Sequence, residues 1–252
     1  MLVPDRRRRL VEHLHRSGSA QVEDLADALG VSTSTVRRDL ADLEAEGRLR
    51  RAHGGAYLHR ATLYPETRPQ AAPETDDVKR RIGKAAADRL TDGTTVMILG
   101  GSTTAAMLPF CAGHELTVVT NGLDVAHTLA EHPDITVVVL GGVLHREQLT
   151  LLGPMTEQNM ADLHVDVMFA GAFGVHPQGG VTGTKIMAAG SHHSMLRHAE
   201  ELVVLADAAK LGRQGPTLLA EMDQVHTLVT DRAADEQLVE AIRRRGTHVE
   251  VC

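Results

Sequence analysis

The chain of 252 residues is short of cysteine, has no long apolar run and carries no excess of positive charge. Each shortage excludes something. Two cysteines, Cys111 and Cys252, make neither a disulfide framework nor a metal-ligand cluster, which fits a reducing compartment. No apolar stretch approaches the roughly 20 residues that cross a bilayer, and the arginine-rich start is not followed by the apolar segment of a secretory leader. A soluble, cytoplasmic protein with no membrane partner is expected. The glycine-rich segments lack the lysine of a Walker loop and the GxGxxG spacing of a dinucleotide fold. No cofactor is expected.

Turning to what is there, residues 31–40 read VSTSTVRRDL, and a short helical pattern from Val22 to Leu29 precedes them across Gly30. These are the second and third helices of a helix-turn-helix. With Ser32 as N-cap, Val36, Leu40 and Leu43 fall at i, i+4 and i+7 on one buried stripe. At about 100° per residue, Ser34 and Arg38 then lie opposite that stripe, with Thr35 and Arg37 on its flanks. Short polar side chains at a helix start let the backbone approach a phosphate or base edge, and an arginine pairs bidentately with guanine. Ser32, Thr33, Ser34, Thr35, Arg37 and Arg38 are therefore the candidate contacts to double-stranded DNA.

Upstream, Arg6-Arg7-Arg8-Arg9 opens a helix with apolar Leu10, Val11 and Leu14, closed by Ser17-Gly18. Downstream, residues 47–56 alternate and then turn on Gly54-Gly55, as a β-hairpin wing does. Its Arg50, Arg51 and His53 are placed to hold the DNA backbone, Arg51 without regard to sequence.

The overall charge of −7 is at odds with holding a polyanion until it is divided. Residues 1–60 carry 11 Lys+Arg against 9 Asp+Glu, and the rest carry 15 against 24. The head is thus weakly basic, its positive charge clustered at Arg6–Arg9, Arg37, Arg38, Arg48, Arg50 and Arg51. So small an excess binds DNA feebly as a monomer, and a homo-oligomer on repeated half-sites is expected.

VSTSTVRRDL, Leu43-Glu44-Ala45-Glu46-Gly47 and Arg51-Ala52-His53-Gly54-Gly55-Ala56 resemble the amino-terminal signature of DeoR-type bacterial transcriptional regulators, over about the first sixty residues. The resemblance implies a winged helix-turn-helix fused to an effector-sensing domain.

A segment from Tyr64 to Pro73 holds three prolines and little apolar content, and makes a semi-rigid linker. We divide the chain into a winged helix-turn-helix over residues 1–57, a linker over 58–74 and an effector domain over 75–252. In the last, strands are expected at Thr94–Leu99, Leu116–Thr120, Ile135–Leu140, Val165–Phe169, Leu202–Ala206, Thr227–Thr230 and Thr247–Val251. Helices are expected at Ile82–Leu90, Thr104–Cys111, Leu123–Glu131, Thr156–Leu163, Ala188–Glu200 and Glu236–Arg245. Near-continuous apolar strands interleaved with helices predict an α/β fold with a mostly parallel sheet covered on both faces, and ligands bind beyond the carboxyl ends of such strands. Three loops there qualify: Gly100-Gly101-Ser102-Thr103-Thr104, then Thr120-Asn121-Gly122, then Gly141-Gly142. Backbone N–H groups and hydroxyls in register suit an anionic, phosphate- or polyol-bearing effector.

Residues 78–231 again look like DeoR-type proteins, whose sensor domain resembles ribose-5-phosphate isomerase. Matching positions include Gly101–Thr104, Val119-Thr120-Asn121, Leu140-Gly141-Gly142, Asp166, Gly171, Gly174, Gly180 and Ala206-Asp207 with Lys210. What this implies is a phosphorylated sugar or similar metabolite as effector, held by Gly101, Ser102, Thr103, Thr104, Thr120, Asn121, Gly141, Gly142 and Lys210, and repression of a carbohydrate or related metabolic operon relieved when it binds. Two departures stand out. Leu99 replaces the family's usual aspartate, and Met187–His193 lacks its usual glutamates and lysine, so a less hydroxylated effector or weaker recognition is expected. Two alternatives stay open. One is a sugar-phosphate isomerase-like enzyme, for which Asp166 is the remaining carboxylate near the central strand, with none in the loop that follows it. The other is a metal-sensing regulator, prompted by His192, His193 and His198.

Overall fold

A computed structural model describes residues 3–17, 19–45, 50–52, 55–57, 73–184 and 188–252. His53, Arg48, Met187 and residues 58–72 of the expected linker lie outside these. The chain divides into two units, residues 1–71 and 72–252.

The amino-terminal unit runs α1 (Val3–Ser17), β1 (Ser19–Gln21), α2 (Val22–Leu29), α3 (Thr33–Ala45), β2 (Arg50–Ala52) and β3 (Gly55–Tyr57). The turn between α2 and α3 rests on Gly30, whose φ of +64° is left-handed and favours glycine. Ser32 caps α3, its Oγ accepting from Thr35 N–H at 3.3 Å. Val36, Leu40 and Leu43 pack with Leu10, Leu14, Val22 and Leu25 in one buried cluster, the stripe that the heptad-like spacing demands. β2 and β3 form the antiparallel wing expected from the paired glycines. β1, too short to leave a periodic signal, pairs on the far side of β3.

The second unit is built on a seven-stranded sheet of β4 (Thr95–Ile98), β5 (Leu116–Thr120), β6 (Ile135–Val139), β9 (Val165–Gly171), β12 (Ala199–Leu205), β14 (Thr227–Thr230) and β15 (His248–Val251). Their order is β15-β14-β12-β9-β4-β5-β6, and every pairing is parallel. All seven expected strands are present. Val96 and Ile98 pack on one side with Ile82, Val125 and Leu129. Met97 and Leu99 pack on the other with Met160, Met195 and Ile242. This alternation along a strand buried on both faces is why the runs read as continuously apolar.

The flanking helices are α4 (Pro73–Ala87), α5 (Ser102–Ala105), α6 (Leu123–Leu129), α7 (Pro154–Met160), α8 (Ala188–Arg197) and α9 (Glu236–Arg243). α4 starts nine residues before the expected Ile82, because its first turns are polar and Pro73 suits a helix start. α5 is one turn, followed by a separate 3₁₀ turn at Leu108–Phe110 where Pro109 blocks continuation. α8 stops at Arg197, and Ala199 and Glu200 begin β12 rather than ending a helix. Short antiparallel arms absent from the sequence reading decorate the sheet: β7 (Val143–His145) with β8 (Thr150–Leu152), and β10 (Gly174–His176) with β11 (Gly180–Gly183) and β13 (Thr217–Ala220).

Candidate functional site

In the first unit, Ser32, Ser34, Arg37 and Arg38 are exposed, and Thr33 and Thr35 half-buried, along the start of α3. Arg37 makes only a long pair with Glu23 at 3.8 Å, both side chains 62% exposed, which screening by water leaves weak. Arg50 and Arg51 lie on wing strand β2. The basic run at the chain start behaves differently from expectation. Arg6 donates to both Asp39 carboxylate oxygens, at 2.5 and 3.1 Å, and Arg7 bonds Asp39 at 3.3 Å and Asp42 more closely. Asp39 is 2% exposed. Two of the four arginines thus clamp α1 to α3 and are spent inside the unit, where the sequence reading had counted them toward a positive outer patch.

In the second unit, the chain runs outward from β4 through β5 to β6, then returns to place β9 on the other side of β4. The crevice belongs at that reversal, beyond the strand ends. A cavity of about 280 Å³ opens there. Gly100–Thr103 follow β4, Asn121 follows β5, Gly171–Phe173 close β9, and Lys210 and Arg213 follow β12. Gln148, Thr150 and Leu152 reach in from the β7–β8 arm, and Ala188 and His192 from α8. The first two loops meet backbone to backbone: a Cβ at Gly122 would lie 2.8 Å from Gly100 Cα. Only glycine permits that approach.

Of the residues expected to hold an effector, the cavity gathers Gly101, Ser102, Thr103, Asn121 and Lys210. It leaves out Thr104, Thr120, Gly141 and Gly142, whose groups are committed to the scaffold. Thr104 Oγ1 donates to Gly101 O at 2.9 Å. Thr120 Oγ1 donates to Ile98 O at 2.6 Å and accepts from Gly122 N–H at 3.0 Å, which fixes the end of β5. Gly141 N–H donates to Asn159 Oδ1 at 2.7 Å, and Thr156 Oγ1 donates to Gly141 O at 2.7 Å. Gly142, with φ of +151°, stands where a Cβ would meet Thr156 Oγ1 at 2.3 Å. Asn121 lines the cavity, yet both ends of its amide are engaged, accepting from Gly100 N–H at 3.1 Å and donating to Leu151 O at 3.2 Å.

Lys210 Nζ lies 3.3 Å from Thr103 Oγ1 and 3.4 Å from Asp207 Oδ2. Burial, then the nearby charges of Lys79 and Arg213, lower its pKa, while Asp207 opposes them. Asp231 Oδ1 accepts from Ala208 N–H at 2.7 Å and so holds the turn that carries Lys210. Arg213, which the sequence reading passed over, stacks on Phe173 with its guanidinium carbon 4.4 Å from the ring centre. Leu99 is 3% exposed and belongs to the core beneath the cavity.

His192 Nδ1 lies 2.7 Å from Ala188 O. A carbonyl only accepts, so Nδ1 carries the proton and Nε2 keeps its lone pair. Burial pushes the His192 pKa down, aided by His193 and opposed by the Ala188 bond. The sign follows: the unfolded chain takes up a proton near pH about 6.5, the folded one only at lower pH, so stability is full above that value and falls as acid is added. His192→Gln should therefore remove part of the stability lost between neutral pH and about pH 5, read from melting temperatures across that range. Parallel pH profiles for the two proteins would refute it. His198 Nδ1 is likewise bonded to a carbonyl, Ser194 O, at 2.8 Å, and His193 is exposed. Among the described residues no three His, Cys, Asp or Glu side chains gather as a metal site would require. Asp166 sits at the start of β9, accepting from Thr95 N–H at 2.8 Å, about 16 Å of strand away from the cavity end.

A recognition helix exposed on a winged head, joined in one chain to a parallel-sheet unit with a polar cavity at its strand ends, defines a ligand-responsive transcriptional regulator. Residues 6–62 match the DeoR-like helix-turn-helix domain and residues 74–232 the DeoR C terminal sensor domain. The chain belongs to the DeoR family of transcriptional regulators. It is 32% identical over 99% of its length to the HTH-type transcriptional regulator GlpR of Haloferax volcanii, covering 98% of that protein. It is 29% identical over 97% of its length to a putative aga operon transcriptional repressor of Escherichia coli O157:H7, covering 92% of it. Among solved structures, ribose 5-phosphate isomerase A from Neisseria gonorrhoeae shares 20% identity at a TM-score of 0.41, over 54% of this chain and 53% of that one. No described helix is long and apolar enough to cross a membrane.

Proposed function

We propose that this regulator is a cytoplasmic, homo-oligomeric repressor of a carbohydrate or related metabolic operon, released from its operator by a phosphorylated sugar or similar anionic metabolite. The observation that carries the reading is the cavity at the strand ends. Ser102, Thr103, Lys210 and Arg213 line it, and no carboxylate is among the described residues that do. Cations and donors without a competing acid favour an anion. The names of the relatives, among them a putative aga operon transcriptional repressor, support repression of an operon.

Ser34, Thr35, Arg37 and Arg38 on α3 dock in a major groove, Ser32 and Thr33 meet the adjoining phosphates, and Arg50 and Arg51 on the wing hold the backbone together with His53. The effector changes DNA affinity only as far as it prefers one subunit arrangement over another. We read the second unit as a sensor rather than an enzyme. Asp166 is tied to a backbone amide at the far end of its strand and Asp207 to Lys210, so neither carboxylate is poised as the general base that an isomerase requires.

Arg38→Ala is expected to reduce the preference for operator over scrambled DNA roughly 10- to 100-fold, the worth of one bidentate base contact, with little change in the slope of affinity against salt. Operator and scrambled duplexes titrated across a salt series would measure both quantities. Uniform weakening on both duplexes would assign Arg38 to phosphate rather than base. Release of operator on adding sugar phosphates checks the effector half of the reading.

A further inference from the structure

Lys210 was the cation that the sequence pointed to, but its surroundings make it a poor match for an incoming anion. Its charge is already opposed by Asp207 at 3.4 Å, it bonds Thr103 Oγ1 at 3.3 Å, and its side chain is 21% exposed. Arg213 presents the opposite case. It is exposed and lines the cavity, and no carboxylate pairs with it among the described residues.

The loop that carries Arg213 is strapped to the β10–β11 arm. Gly212 N–H donates to Val175 O at 2.8 Å, and Gly215 N–H donates to Thr182 Oγ1 at 2.8 Å. The Arg213 carbonyl occupies the place of a missing side chain, since a Cβ on Gly174 would lie 2.3 Å from it. Phe173, the residue before that glycine, supplies the ring under the guanidinium. Stacking occupies one face of a planar, permanently charged group and leaves its N–H edge free for two parallel hydrogen bonds to one anion. A side chain already held in place gives up little rotamer freedom when the anion arrives.

We infer that Arg213, planted on Phe173, is the anion anchor of this cavity for a phosphate group, and that Lys210 is a positioning residue that holds Thr103 and the loop after β4. The inference rests on the reading of the cavity as an anionic effector site. It assigns the phosphate to the side near β10 and leaves the His192 wall for the rest of the effector.

The experiment uses the full chain, with inorganic phosphate as the probe against chloride at matched ionic strength, and follows the melting temperature of the second unit. Wild type is expected to be stabilised with increasing phosphate. Arg213→Ala should weaken the apparent phosphate affinity roughly 10- to 100-fold, the range for hydrogen bonds to a charged group. Arg213→Lys should also weaken it, because a lysine keeps the charge but neither the fork nor the stack. Phe173→Leu should fall between. Lys210→Met should lower the melting temperature without phosphate, because Asp207 loses its partner, and should weaken the phosphate response less than Arg213→Ala does. Arg213→Ala with wild-type affinity, or Lys210→Met without any response, would overturn the assignment while leaving the anionic site standing. A wild-type protein indifferent to phosphate and to sugar phosphates alike would remove the anionic reading itself. Each variant's melting temperature without phosphate separates lost binding from lost folding.

Discussion

Asp39→Ala is expected to destabilise the amino-terminal unit by about 3 kcal/mol, the lower end of what breaking a buried ion pair costs, and to weaken operator binding with it. Asp39 is buried between α1 and α3 and accepts from both Arg6 and Arg7. Its removal takes away the carboxylate that Arg6 and Arg7 share and lets α3 tilt on its apolar stripe. The same site predicts an acid response. Burial raises the Asp39 pKa, but the hydrogen bonds and charges of Arg6 and Arg7 outweigh this and hold it below the usual aspartate value. A folded value below the unfolded one means stabilisation that is complete above about pH 4 and is lost as pH falls through the folded value. Calorimetry of the full chain should show the transition of the amino-terminal unit, the one that Asp39→Ala shifts, losing stability below that pH in wild type, and the variant losing less. A variant with the wild-type transition, or with the wild-type acid response, would dismiss the clamp.

Gly83→Ala sets two effects of opposite sign against each other. Gly83 is buried in the middle of α4. By helix propensity alone, alanine there is favourable by about 1 kcal/mol. Its Cβ, however, would lie 2.4 Å from the backbone carbon and oxygen of Ala106 and 2.6 Å from Met107 N. Those are backbone atoms at the end of α5, the turn that grows out of the cavity loop. They cannot swing aside as a side-chain tip can. Sterics should win, at roughly 3 kcal/mol of destabilisation, the upper end of ordinary overpacking costs, and the loop at Gly101–Thr103 should lose phosphate affinity as α5 shifts. A higher melting temperature for the second unit would show that the contact relaxes freely.

The parts of the fold that sequence made plain share one physical cause. Strands such as Thr95–Ile98 and Thr227–Thr230 are read easily because a parallel sheet covered on both sides needs every residue apolar or β-branched. The start of α4 was hidden for the converse reason: Pro73 to Asp77 is polar apart from the proline, and Val78 is followed by three charged residues before Ile82. The three- and four-residue arms β7, β8, β10 and β11 are too short to show an alternation. At the cavity, Ser102, Thr103 and Asn121 were legible from their place after apolar strands. Arg213 was not, because stacking on Phe173 and the pairing of Lys210 with Asp207 depend on which loops the fold brings together. Arg6 and Arg7 misled for a related reason, since a run of arginines looks outward until Asp39 is placed beneath it.

Most residues that line the cavity come from turns beyond the parallel strands, from the added arms and from the first half of α8, while the sheet's own apolar layers are built mainly from other positions, Ala172 and Leu219 serving both. Recognition and folding are therefore written in largely separate letters. Exchanging side chains at Gln148 or Thr184 should alter what the cavity accepts without disturbing the packing of β4, β9 and β12. A protein organised in this way lends itself to retargeting, one trigger molecule substituted for another on an unchanged frame, whether by drift among descendants or by the hand of someone constructing a genetic biosensor.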